Sequence, residues 1–330
     1  FCRACGRVAA RSGSKSQRSG HSHPAQPTML RRTLTTLSQS AAATSPKPFG
    51  RWFAGLDQLT EPGTVVVDCS GPPAYERAHL AGARCLSVPP TFKQAGTNSV
   101  SSEAEVQACA AQLGIGKNTK VIAYDDMGGL FAARFWWVMS MYGHDNVQVL
   151  HAGWRGAANS GAKVESGPCQ NPPSADVDAF TAQRRDDWFA STEDMVAMSL
   201  DPPVGVQPGV ARLVDVRSPL EVSGEDLRGN PVGGHVRGSL FLPHNLFMQP
   251  SGAFPSHEDA MDVVKRAGID LGSPLITMCQ SGVRAAHTAL VLRALGAEQV
   301  AVYDESMGGL SRQAGADLET GAPPMPCMGR

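Results

Sequence analysis

From Thr64 onward, short apolar runs that end on a polar or acidic residue alternate with longer stretches of helical periodicity. In the first half, Thr64-Val65-Val66-Val67-Asp68 reads as a buried strand and Ala78-His79-Leu80-Ala81-Gly82-Ala83 as a turn into a short strand. Lys120 to Asp125 is a further strand, a helix is predicted from about Phe131 to Tyr142, and Val147 to Leu150 is again a strand. The second half repeats the order: Arg212 to Asp215, Gly234 to Ser239, Leu275 to Cys279, a helical pattern from Ala285 to Leu295, then Val300 to Tyr303. Matching landmarks lie 147 (Asp68 to Asp215), 156 (His79 to His235) and 154 (Asp125 to Cys279) residues apart. Apolar strands alternating with helices predict an α/β fold in two tandem copies, each a small parallel sheet flanked by helices. Between the copies, Ser160 to about Asp178 is rich in Gly, Pro, Ser and Asn and reads as a linker. Ser191-Thr192-Glu193-Asp194 then offers a helix start ahead of Met195, Val196 and Met198.

One junction carries chemistry. Cys279-Gln280-Ser281-Gly282-Val283-Arg284 follows an apolar strand and opens a helix. A cysteine at such a junction faces a ring of backbone N–H groups and the positive end of a helix dipole, which favour a thiolate. Four residues separate Cys279 from Arg284, one fewer than in the phosphatase signature, and the tighter ring suits a sulfur atom carried on the cysteine rather than a phosphate. At the matching position the first half has Asp125, followed by Asp126-Met127-Gly128-Gly129-Leu130, and no nucleophile. The two strand-end acids there are expected to be solvated or to cap the helix.

Composition changes this picture in two places. The 330 residues, 42% apolar, suit two domains, and no apolar run reaches the roughly 18 residues of a membrane helix. Eight cysteines are scattered without the spacing of a disulfide framework, and the Cys2/Cys5 pair has no second pair to complete a zinc site. Residues 1–51 hold nine Lys/Arg and no acid, leaving 20 basic against 30 acidic residues in the rest. An acidic body is a poor nucleic-acid ligand. The stretch from Met29 to Ser40 is Arg- and Ser/Thr-rich and amphipathic, the composition of a mitochondrial transit peptide, with a plastid one as the alternative. Since the chain opens on Phe1, Met29 is a candidate start.

With Cys279 in its loop and the same landmarks in order in both halves, the chain from about Trp52 to about Arg312 resembles the two-domain rhodanese family of sulfurtransferases. The resemblance implies a basic leader (1–51), an inactive rhodanese-like domain (52–160) that forms one wall of the cleft, and a linker (161–179). A catalytic rhodanese domain (180–317) and a Pro/Gly-rich tail (318–330) follow. It implies a thiolate at Cys279 that takes sulfur from a small-molecule donor, holds it as a persulfide, and passes it to a thiol such as thioredoxin or to cyanide. The N–H groups of Gln280, Ser281, Gly282, Val283 and Arg284 would stabilise the charge. No metal or organic cofactor is implied, nor a nucleic-acid partner or membrane span.

The resemblance also bears on the donor. Ser281 matches the serine of family members that use 3-mercaptopyruvate, and Asp68 and His79, eleven residues apart, match the acid and histidine of their proposed relay. Arg217 matches one of two donor-binding arginines, while Ser223 stands where the second is expected. Gln280 and Arg284 replace the usual glycine and threonine; an arginine-ended loop resembles members that handle thiosulfate or persulfides. Arg284, or Arg228, is then the candidate for the missing charge. The expectation is 3-mercaptopyruvate, with thiosulfate or a persulfide as alternative donor and an accessory subunit of a larger mitochondrial assembly as alternative role.

Overall fold

The computed structural model describes residues 48–169, 171, 178–203, 207 and 209–321. The candidate start at Met29, the leader before residue 48, Cys2, Cys5, Cys327 and parts of the linker and tail lie outside them.

The first half comprises β1 (Phe53–Ala54), β2 (Thr64–Asp68), α1 (Pro72–Arg77), β3 (His79–Leu80), β4 (Arg84–Cys85), α2 (Glu103–Gln112), β5 (Lys120–Tyr124), α3 (Leu130–Met141), β6 (Val147–Leu150), α4 (Gly153–Asn159) and β7 (Val164–Glu165). The second comprises β8 (Phe189–Ala190), α5 (Thr192–Leu200), β9 (Arg212–Asp215), α6 (Pro219–Ser223), β10 (Leu240–Phe241), α7 (His257–Arg266), β11 (Leu275–Met278), α8 (Val283–Ala294), β12 (Val300–Tyr303) and α9 (Ser306–Leu310). One five-stranded sheet has the order β1-β6-β5-β2-β4 and the other β8-β12-β11-β9-β10, every pairing parallel. The repeat read from spacing is thus a repeat of topology.

Register places the two loops alike. Asp68 pairs with Tyr124 and Asp215 with Met278, so the next residues, Asp125 and Cys279, leave their sheets at the carboxyl edge. In parallel α/β sheets this edge is where ligands bind. Each loop then turns through a left-handed glycine, Gly129 (φ 90°) or Gly282 (φ 79°), into a twelve-residue helix. Helices α3 and α8 pack on each other and are buried on nearly every face, which explains their near-continuous apolar sequence. Their side chains join residues of both sheets in one core that includes Trp136, Trp137, Leu290 and Val291. Ser191 caps α5 by accepting from the Asp194 N–H, while the Asp194 carboxylate accepts from the Ser191 N–H.

No helix among the described residues is long and apolar enough to cross a membrane, and no group of three or more His, Cys, Asp or Glu among them could hold a metal ion.

Candidate active site

Cys279 sits at the end of β11 with 1% of its surface exposed. The loop above it is held from outside by Ser306, the first residue of α9. The Ser306 hydroxyl accepts from the N–H of Cys279 (3.0 Å) and of Gly282 (3.2 Å), donates to the Tyr303 carbonyl (2.7 Å), and lies 3.9 Å from Cys279 Sγ. Ser306 has φ 53°, a left-handed conformation costly for a residue with a Cβ. Its counterpart at the start of α4 is Gly153, φ 61°, so only the second half places a hydroxyl here.

The two loops differ most in what fills their N–H rings. In the first half the Asp125 carboxylate folds into its own loop and accepts from Met127, Gly129, Phe131 and Ala132 at 2.7–2.8 Å. Burial pushes its carboxyl above the ordinary value, and these four donors pull it back. The expected helix cap is therefore present, and it occupies the site where an anion would sit. In the second half the N–H groups of Gln280, Ser281, Val283 and Arg284 have no acceptor among the described residues. The cysteine loop is one residue shorter between strand and helix and presents free donors above Cys279, as an anionic sulfur requires.

The side chains around Cys279 are tied to partners. Arg284 binds Glu221 through both terminal nitrogens at 2.7 Å. Burial would raise the Glu221 carboxyl, but the hydrogen bonds and charge of Arg284, with Ser218, hold it down at about 2. Gln280 exchanges two amide hydrogen bonds with Asn230, at 2.8 and 3.0 Å, which fixes one wall of the loop. Arg228 lies 4.0 Å from Glu221 on the exposed side. Ser281 is half-buried and makes no side-chain hydrogen bond within the described protein. On the other side, Asp304 accepts from both Arg134 terminal nitrogens and from Lys93 Nζ (3.0 Å).

Three residues expected at the donor are tied into the framework of their own half. Arg217 is 1% exposed; its guanidinium pairs with Asp215 (2.6–3.1 Å) and donates to the carbonyls of Gly234 (2.7 Å) and Glu221 (3.3 Å). It braces the end of β9 against α6, with Asp215 as its ion-pair partner. The relay of Asp68, His79 and Ser281 is not assembled. His79 Nδ1 bonds the Tyr75 carbonyl (2.7 Å) and its ring stacks on Tyr75 at 3.6 Å, while Asp68 accepts from the Ser70 N–H (2.9 Å). Neither side chain bonds the other, Ser281 or Cys279. His235 repeats the pattern of His79, with Nδ1 on the Val222 carbonyl (2.9 Å), so both histidines pin the end of a helix. The spacing of Asp68 and His79 belongs to the first half's own framework.

A rhodanese-like domain pattern matches residues 54–160 and again 204–313. The chain belongs to the rhodanese family. Among curated relatives, thiosulfate sulfurtransferase of Rattus norvegicus is 30% identical over 247 residues, 73% of this chain and 80% of the relative. A putative thiosulfate sulfurtransferase of Mycobacterium tuberculosis is 29% identical over 257 residues, 76% of this chain and 88% of the relative. SseA from Escherichia coli, whose structure is described under 3-mercaptopyruvate sulfotransferases, superposes with TM-score 0.65 at 21% identity, covering 77% of this chain and 98% of that one. YnjE superposes with TM-score 0.71 at 22% identity over 81% of this chain and 66% of that one. At these identities the last two establish the fold alone. As a rhodanese the protein is a sulfurtransferase with two α/β domains.

Several residues at this rhodanese loop escaped the sequence reading: Ser306, Asp304, Glu221, Asn230, Lys93 and Arg134. A signal existed for the first two. Tyr303-Asp304-Glu305-Ser306 follows β12 as Leu150-His151-Ala152-Gly153 follows β6, and only the second copy carries an acid and a hydroxyl. The others meet the loop only through tertiary packing.

Proposed function

We propose that this protein moves sulfane sulfur through a persulfide on Cys279, with thiosulfate as donor. The thiolate attacks the outer sulfur of thiosulfate, the S–S bond breaks, and sulfite leaves with the bonding electron pair. The acceptor, a thiol such as that of thioredoxin or cyanide, then attacks the outer sulfur of the persulfide and regenerates the thiolate. The observation that carries this reading is the contrast between the rings: Asp125 fills the first, whereas four N–H groups above Cys279 have no acceptor among the described residues and can bind the charge. The naming of the rat and mycobacterial relatives supports thiosulfate, as does the unassembled relay, because sulfite needs no delivered proton. Ser281, whose hydroxyl has no partner among the described residues, favours 3-mercaptopyruvate as the second reading.

We place the chain in mitochondria on the acid-free, Arg- and Ser/Thr-rich leader.

Mass spectrometry after incubation with thiosulfate and no acceptor is expected to show one added sulfur on the Cys279 peptide, absent from Cys279→Ser. Side-by-side kcat/KM values decide the donor. A Cys279→Ser variant that keeps turnover overturns the mechanism, and a higher kcat/KM for mercaptopyruvate overturns the donor.

A further inference from the structure

The repeat relates each residue around the Cys279 loop to a partner in the first half, and the charges do not repeat. With α3 and α8 aligned end to end, Arg134 corresponds to His287; with β6 and β12 aligned, His151 corresponds to Asp304. Beside the cysteine, Arg134 and Asp304 form a buried ion pair across the two halves. Beside Asp125, the corresponding place holds imidazole and aromatic rings: His287 stacks on Phe254 (5.0 Å), and His151 lies near Phe254 and bonds the Pro255 carbonyl (3.0 Å). Burial pushes His287 down to about 3, so the counterpart of Arg134 carries no charge at neutral pH. The halves are joined there without an Arg–Asp ion pair, and buried ion pairs are costly ways to gain stability. The charge beside Cys279 calls for another reason.

Lys93 adds a second cation to that pair. The first-half loop that carries it crosses onto the turn before α9. Ser99 Oγ donates to Glu305 (2.6 Å), Asn98 lies against Gly308, and Lys93 Nζ donates to Asp304 (3.0 Å) and to the Asn98 carbonyl. The preceding residue, Phe92, is buried and left-handed (φ 70°), and its carbonyl accepts from Arg134 (3.2 Å). A bulky residue held there stores strain, which in proteins gathers at functional sites. Asp304 and Arg134 press on Gly282, where any side chain would collide with the carboxylate, so the cluster abuts the cysteine loop.

The charges facing Cys279 can be followed element by element. From the strand β9 and helix α6 side come Asp215 with Arg217 and Glu221 with Arg284; His244, pushed by burial and by Arg284 down to about 4, is neutral at pH 7. From α3, the turn before α9 and the crossing loop come Arg134, Asp304 and Lys93. Three carboxylates thus face four buried or half-buried cations, with Asp304 shared by two of them and Glu221 also 4.0 Å from the exposed Arg228. Lys93 is 12% exposed, and its ammonium has three N–H bonds, of which two are used.

We propose that Lys93, reaching over from the half that has no nucleophile, supplies the uncompensated positive charge that holds the Cys279 thiolate and persulfide. Lys93 acts through the electric field and through Asp304 and Gly282, as a positioning residue. Burial and Arg134 push its own ammonium down to about 8, opposed by the charges of Asp304 and Cys279, so the cation is present at neutral pH and weakens above it. The inference rests on Cys279 being the nucleophile, but its test needs no sulfur donor.

The test is the pH–rate profile of Cys279 alkylation by iodoacetamide, read from the mass of the Cys279 peptide in intact wild-type, Lys93→Met, Lys93→Gln and Lys93→Arg proteins. Loss of one nearby opposite charge is expected to slow alkylation at pH 7 roughly tenfold in Lys93→Met and Lys93→Gln and to move the profile to higher pH. Lys93→Arg should follow the wild type. Lys93→Gln guards against a packing effect, and near-UV circular dichroism confirms that each variant is folded. Superimposable profiles for wild type and Lys93→Gln overturn the proposal, as does a Lys93→Arg profile shifted as far as that of Lys93→Met. A protein that transfers no sulfur from either donor yet shows the shift overturns the sulfur-transfer reading and leaves this one standing.

Discussion

Removing the Ser306 hydroxyl separates its two roles, because the residue both satisfies the loop and bears a strained backbone. In Ser306→Ala the N–H groups of Cys279 and Gly282 lose their shared acceptor, and the Tyr303 carbonyl loses a donor. A buried donor left unsatisfied costs about 1 to 3 kcal/mol. Because the two N–H groups share one oxygen, the total is about 2 to 4 kcal/mol, or roughly 3 to 6 °C in Tm for a chain of 330 residues. Ser306→Gly loses the same bonds but relieves a left-handed φ that costs a residue with a Cβ about 1 to 2 kcal/mol. Part of that gain is offset by glycine's greater chain entropy, so the glycine variant should be the more stable of the two by about 0.5 to 1 kcal/mol. This inverts the usual order of alanine and glycine. Urea unfolding of the three proteins measures the stabilities, and sulfur transfer to cyanide measures the consequence for the N–H ring. Both variants should lose roughly tenfold in kcat/KM with either donor, the equivalent of about 1.4 kcal/mol of misdirected N–H groups. An alanine variant as stable as wild type, or more stable than the glycine variant, would refute the reasoning.

Two further outcomes are expected. Arg217→Ala leaves Asp215 buried without its partner and should cost about 3 to 5 kcal/mol in urea unfolding, while the surviving folded enzyme keeps its ratio of kcat/KM for the two donors; an unchanged midpoint with selective loss of one donor would return Arg217 to donor binding. For His287, the folded value of about 3 lies below the ordinary 6.5, so the unfolded chain binds more protons between them. Its contribution to stability is complete above about pH 6.5 and falls as pH drops toward 3. Urea midpoints at pH 7.5 and 5 should therefore diverge less in His287→Gln than in wild type, and equal divergence would contradict the assignment.

The sequence was legible where structure depends on near neighbours. Val147–Leu150, Arg212–Asp215 and Val300–Tyr303 are strands as expected, and the helix predicted from about Phe131 is α3, beginning one residue earlier. Runs such as these announce themselves because alternation and burial act over a few residues. The tandem repeat was legible for the same reason, and so was Cys279 at its junction, since strand, turn glycine and helix start are contiguous.

Side-chain direction was not legible. Asp68, His79 and Arg217 stood in the expected motifs, but whether each faces a donor, a carbonyl or its own carboxylate depends on packing that no motif encodes. Asp215 sits two residues from Arg217 and captures it, and Tyr75, by stacking, captures His79. Lys93 and Asp304 are 211 residues apart, and Arg134 and Asp304 are 170 apart. Contacts at that separation leave no periodicity to read. The sequence alone therefore determined the fold class, the duplication and the place of Cys279 at a strand-to-helix junction, all products of local pattern. Only the tertiary structure decided which charges face Cys279, because that follows from how α3 and α8 lay the two halves together.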